Sequence, residues 1–191
     1  PKYYKVVELL AKKRSGMTRE EIMTALKLPK GGALSDALVN LQNCDFIRKY
    51  HSFGKKQRDA IYQLTDLFTL FYHTLMENEA GGDEHAWSNM LDNPKRVAWM
   101  GYAFEQVCML HIPQIKKALG ISGMLTEASS WMGSDGVEKG QIDLVIEWHG
   151  ERTDYLCEIK FSENVFAINA DYKQALLDKI SAFRESAQHI K

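Results

Sequence analysis

Apolar positions along residues 3–13 recur at helical spacing, with Val6, Val7, Leu9 and Leu10 forming one stripe that Ser15-Gly16 ends. Thr18-Arg19-Glu20-Glu21 has the form of a capping box, so a short helix is predicted from there to Leu26. Leu28-Pro29-Lys30-Gly31-Gly32 reads as a turn. From about Ala33 to Asn43, Leu34, Leu38 and Leu41 fall at i, i+4 and i+7, which predicts a third helix. Phe46 to Tyr50 and Ala60 to Leu64 then read as two strands. The segment that joins and flanks them is basic, with Arg48, Lys49, His51, Lys55, Lys56 and Arg58.

Asp66 to Tyr72 opens a helix that is apolar on most sides and is therefore expected to be buried between domains. Glu79-Ala80-Gly81-Gly82-Asp83 has linker chemistry. His85 to Asp92 reads as a further helix. Pro94 suits the first turn of a long helix that should carry Trp99, Phe104, Val107, Leu110 and Ile115 toward a core. Pro113 is expected to kink or split it. Lys116-Lys117-Ala118-Leu119-Gly120 ends it, with cations in the last turn and Gly120 as the C′ residue. Thr126 to Trp131 is a strand, and Met132 to Lys139 is a polar loop. Gln141 to Ile146 and Tyr155 to Lys160 read as a hairpin turning at His149-Gly150-Glu151-Arg152. Phe161 to Ala170 is irregular. Asp171 to Ser186 is amphipathic, with Tyr172, Leu176, Ile180 and Phe183 on one side and Lys173, Lys179 and Arg184 among the polar positions.

The expected fold class is thus α+β or α/β in two parts. Three short helices and a hairpin over 1–65 have the order of a winged helix-turn-helix, where the third helix enters the major groove and the hairpin wing touches backbone. A helical linker over 66–94 leads to a helix–three strands–helix core over 95–191. A further strand is expected after the last helix, where the chain stops at Lys191, so the core is expected to stand without its last strand. The proposed recognition helix holds no Lys or Arg, and Asn40, Gln42 and Asn43 are its base-reading candidates. The wing cations can hold phosphates. The alternative is a solvated basic hairpin in a part that packs on protein. A transcription regulator is the weaker expectation because the recognition helix lacks cations.

Composition narrows the function classes. The chain has 191 residues, 45% of them hydrophobic, which suits two small cores. Its net charge of −1 provides no global pull toward nucleic acid or an anionic membrane, so any such surface is local. Cys44, Cys108 and Cys157 are an odd count without a C-x-x-C pair, which points to reduced thiols in the cytoplasm rather than to a zinc ribbon or a disulfide framework. No apolar run approaches the ~20 residues of a membrane span. There is no internal repeat and no signal peptide. The chain opens at Pro1 with no initiator Met, as expected of a piece of a longer protein.

The chemistry concentrates between Gly140 and Lys160. Asp143 stands between the apolar Ile142 and Leu144, and a charge in such a run costs stability unless something pairs it. Glu158 and Lys160 are i, i+2 on the expected return strand, so they share a face. Gln141 precedes Asp143 by the same step. This acid–hairpin–acid-x-lysine pattern asks for a divalent cation with a phosphate. The plainer alternative is a surface ion pair between Glu158 and Lys160 worth little. Glu105, on the long helix, is on its own an ordinary solvated residue.

In order and spacing, Ala103-Phe104-Glu105-Gln106-Val107, Gly140-Gln141-Ile142-Asp143-Leu144-Val145 and Cys157-Glu158-Ile159-Lys160-Phe161-Ser162 resemble the PD-(D/E)xK restriction-endonuclease-like superfamily. More narrowly, the chain resembles the C-terminal region of prokaryotic AAA/STAND-type ATPases of the archaeal-ATPase family, in which a P-loop module precedes a winged helix and a nuclease-like domain. No G-x-x-x-x-G-K-[ST] is present, so the resemblance implies that ATP, and any oligomer formed through the ATPase, belong to an N-terminal half outside this sequence. The resemblance implies that Asp143 and Glu158 hold Mg²⁺, with the Ile159 carbonyl as a further ligand and Glu105 binding directly or through water. It implies that Lys160 orients the attacking water or stabilises charge on phosphorus. Gln141 would contact substrate or a water, and Lys49, Lys55, Lys56 and Arg58 would contact DNA. Lys173 or Lys179 would reach backbone phosphate. The implied partners are DNA and the ATPase module, with no membrane. Relatives attached to ATPases also include inactive, regulatory modules, which is the alternative function.

Overall fold

The computed structural model describes residues 2–54, 59–77, 84–90, 93–133, 140–150 and 153–188. Among them the chain is α+β, with eight α-helices and two three-stranded antiparallel sheets. It divides into two compact units, Pro1–His51 with Lys56–Ala103, and Ser52–Lys55 with Phe104–Lys191. The stretch 66–94 therefore belongs to the first unit.

In the first unit, α1 (Lys2–Lys12) buries Val6, Val7 and Leu10, as its apolar stripe requires. Gly16 turns the chain with φ +78°, and a Cβ there would meet Ile61 Cγ2 at 2.6 Å, so only glycine fits this crossing. A two-residue strand that the sequence pattern did not suggest, β1 (Met17–Thr18), follows. Thr18 then caps α2 (Arg19–Ala25): its hydroxyl accepts from Glu21 N–H while the Glu21 carboxylate takes the Thr18 amide at 2.7 Å, the expected capping box. The third helix, α3 (Gly32–Asn43), buries Leu34, Leu38 and Leu41. The strands β2 (Ile47–Tyr50) and β3 (Ile61–Leu64) pair antiparallel, with β3 central in the order β1-β3-β2. Asp66 caps α4 (Leu67–Phe71), which runs into a π-helical turn, Tyr72–Met76. The expectation that this segment is buried between domains is corrected: Leu70 is buried, but Phe68 is 72% exposed. A short helix, α5 (Ala86–Asn89), falls within the predicted span.

The long helix α6 (Pro94–Leu110) begins at its proline, and Pro113 starts a separate helix, α7 (Ile112–Ala118), so the predicted split is present. Gly120 has φ +73° and donates to Lys117 O at 3.1 Å. The predicted core face of α6 needs correction. Tyr102, Ala103 and Gln106 are buried, while Phe104, Val107 and Leu110 are exposed. The helix is apolar around most of its circumference, so periodicity alone did not select a face. Trp99 and Ile115 do pack against cores.

In the second unit β4 (Thr126–Met132), β5 (Gln141–Trp148) and β6 (Thr153–Cys157) form an antiparallel sheet with β5 central. One face carries Trp131, Ile142 and Val145 against Phe183 of α8 (Ala170–Gln188). The other carries Leu144 and Ile146 against Ile121, with Met109, Ile112 and Ile115 of the preceding helices. The middle strand is thus covered on both sides, which is why Leu144-Val145-Ile146 reads as a continuous apolar run. Phe53 packs in this same unit, with its ring 4.8 Å from that of Phe183 and its amide donating to Ser130 O at 2.8 Å. Among the described residues no helix is long and apolar enough to cross a membrane. The three cysteines are free thiols.

Candidate functional site

The site is made where the β5–β6 ladder ends. Between the pairs Ser129–Val145 and Trp131–Ile142, β5 holds one residue more than β4, a bulge at Asp143-Leu144. A bulge re-aims a side chain. It also explains why Ile142 and Val145 share a face, where simple alternation would have separated them. On the other edge, the last paired residues are Leu144 and Cys157. The return strand predicted through Lys160 therefore stops earlier: Glu158-Ile159-Lys160 leaves the ladder. Asp143 takes over, with its Oδ2 accepting the Ile159 amide at 2.9 Å. Gln141 Nε2 donates to Asp143 Oδ1 at 3.4 Å, so Gln141 reaches Asp143 despite the bulge.

Glu158 is the hub. Its Oε1 receives Lys160 Nζ at 3.0 Å. Lys179 Nζ of α8 donates to both of its oxygens, at 2.9 and 2.8 Å. The Tyr172 hydroxyl lies 3.4 Å from Oε1. The Glu158 side chain is 14% exposed and that of Lys160 46%. The loosely expected Lys179 is thus engaged by a carboxylate. One sequence signal marks it: Tyr172, Leu176, Lys179 and Phe183 fall at i, i+4, i+7 and i+11, so the lysine stands inside the apolar stripe of its helix.

The two acids respond in opposite directions. Burial pushes the Asp143 carboxyl above its ordinary value, the Ile159 amide opposes that, and the Glu158 charge adds to it. Burial also works against ionised Glu158, but hydrogen bonds and charge from Lys179 and Lys160 outweigh it and hold Glu158 below the ordinary value. Lys160 is raised: burial disfavours its charge, and the bond to Glu158 more than compensates. Two adjacent carboxyls pushed apart in this way can hold one proton between them or share a cation.

Other predicted residues are placed differently. Glu105 is half-buried on α6, and its charge adds to burial in raising the neighbouring Cys108 thiol. Among the described residues no three His, Cys, Asp or Glu gather closely enough to hold a metal ion, so Glu105 does not complete such a group with Asp143 and Glu158. The remaining pair still suits Mg²⁺. That ion commonly takes one or two carboxylates and completes its shell with water and substrate phosphate. Arg48 lies on β2 and donates to Gln63 Oε1 at 2.8 and 2.6 Å, so the protein itself engages it. Lys49 is exposed on the same strand. Lys55, Lys56 and Arg58 lie outside the described residues, as does the predicted linker 79–83. Asn40 Nδ2 donates to Tyr3 Oη at 2.8 Å, which occupies the amide expected to read bases. No family model, no curated protein and no solved structure matches this chain.

Proposed function

We propose that the second unit is a nuclease-like αβββα domain that hydrolyses phosphodiesters with Mg²⁺, that the first is a winged helix, and that both form the C-terminal part of a P-loop ATPase acting on DNA. The observation that carries this reading is the convergence of Asp143, Glu158 and Lys160 at the end of one ladder. Asp143, on β5, and Glu158, in the segment that follows β6, offer hard oxygen ligands. Bound Mg²⁺ would polarise a phosphate and make a water more acidic. The Ile159 amide fixes one oxygen of the Asp143 carboxylate, and Gln141 reaches the other. Lys160 brings a positive charge to where charge grows on the phosphate oxygens. Lys179 balances Glu158, and a cation bound at that carboxylate would compete with its two contacts.

A second reading has its own support: Glu158 is already neutralised by two lysines, so the site is complete in charge without a cation. On that reading the unit is an inactive module that binds nucleic acid or protein and regulates the ATPase. The deciding experiment is incubation with single- and double-stranded DNA and Mg²⁺ or Mn²⁺, alongside Glu158→Ala and Lys160→Ala. Metal-dependent cutting lost in both variants is expected. Retained DNA binding with no cutting in any chain supports the inactive module instead.

A further inference from the structure

A second feature lies wholly in the first unit and owes nothing to the phosphodiester reading. A cavity of about 670 Å³ opens among α1, the end of α3, the start of the hairpin and the π-helical turn. That volume is in the range of small-molecule sites, roughly 300–1,000 Å³. Its walls are rings: Tyr3, Tyr4, Phe46, Phe68 and Tyr72, with His73 beside them. Val7 and Leu41 form its floor and belong to the core beneath. A monomer rarely leaves so many large rings around a hollow without use.

Charge and backbone both select the occupant. Among the described residues no lysine, arginine, aspartate or glutamate lines the cavity, so an uncharged molecule matches it better than a phosphate-bearing one. Asn40 donates to Tyr3 Oη, which leaves the Asn40 carbonyl and the Thr69 hydroxyl as polar points on an apolar wall. Phe68, Thr69, Tyr72 and His73 all line the space, and the Glu77 amide donates to Tyr72 O at 2.8 Å across the π turn. Such turns are uncommon and concentrate at functional sites. Ring walls favour flat aromatic partners through offset and edge contacts.

We propose that this cavity is a binding site for an uncharged, planar aromatic small molecule. The test titrates the full chain with N-phenyl-1-naphthylamine, an uncharged aromatic dye that brightens in apolar surroundings. Emission should saturate at one dye per chain. Phe68→Ala removes an exposed ring without touching the core and should weaken binding about tenfold. Cys44→Trp, at an exposed position on the rim, should fill the space and abolish binding. Leu125→Ala, an exposed apolar residue of the second unit, should change nothing. Equal melting temperatures certify folding, and Phe68→Ala alone decides the matter if Cys44→Trp does not fold. Emission that never saturates, or that is the same in wild type and Phe68→Ala, overturns the proposal. So does sedimentation showing that chains pair through the Phe68 face and that dye only separates them.

Discussion

Replacing Lys179 by Met tests how the site is held together. The methionine keeps the aliphatic stem and its packing on α8 while removing the ammonium. Two charge-assisted contacts to Glu158 are lost, at 2.9 and 2.8 Å. Hydrogen bonds to charged groups contribute about 1.5–3 kcal/mol each. The Lys179 side chain is 28% exposed, which places the value at the lower end. Lys160 remains on Oε1 and limits the damage. The net loss should be about 1.5 kcal/mol at pH 7.5, or a fall of about 4 °C in Tm for a chain of this size. Its pH dependence follows from the direction of the Glu158 shift. The native carboxyl lies below its ordinary value of 4.5, so the unfolded chain binds the proton more tightly. The stabilisation is therefore complete above that value and is lost as pH falls through the native one. Thermal melts followed by near-ultraviolet circular dichroism at pH 7.5 and at pH values below 4.5 should show the two chains converging in acid. An unchanged Tm at pH 7.5, or a deficit that persists undiminished in acid, refutes the reasoning.

Three other predictions address neighbouring parts. Asp143→Asn keeps an oxygen for the Ile159 amide and removes a half-buried charge beside Glu158, so its Tm at pH 7.5 should not fall, while divalent-cation binding is lost; a fall in Tm contradicts this. Gln106 is fully buried, and neither polar atom of its side chain has a hydrogen-bond partner among the described residues. Gln106→Leu should stabilise by about 1–2 kcal/mol in urea unfolding, and destabilisation would count against an unpaired amide. Glu147 stands directly across from Glu127 and from Asp154, and burial followed by those two charges raises its carboxyl. The native form then binds the proton more tightly, so stability rises as pH falls through the native value. Glu147→Gln should gain about 0.5 kcal/mol at pH 7.5 and lose that advantage in acid; a gain that ignores pH refutes it.

Much of the fold was legible because local rules and tertiary packing agree. Thr18 and Glu21 form the predicted box, Pro94 and Pro113 bound their helices, and Gly120 closes α7. The failures have physical causes. The strand β1 is two residues long and exists only because β3 pairs with it, so no periodicity announces it. The buried face of α6 was misassigned because Phe104, Val107 and Leu110 are as apolar as the residues that are buried. At the site, sequence spacing placed Glu158 and Lys160 together correctly, but through a strand that ends at Cys157. The bulge at Asp143 cannot be read from alternation, because it changes the alternation. Lys179 was the residue most open to discovery: a lysine inside an apolar stripe needs a buried partner, and Glu158 is that partner.

The central claim is that Asp143 and Glu158 share one divalent cation. Counting free Mn²⁺ by its paramagnetic resonance signal while titrating the intact chain tests it directly. The account predicts one site per chain, absent in Asp143→Asn and in Glu158→Gln, and tighter in Lys179→Met because a competing ammonium is gone. Wild-type protein that binds no Mn²⁺, or binding that survives both carboxylate substitutions, contradicts it.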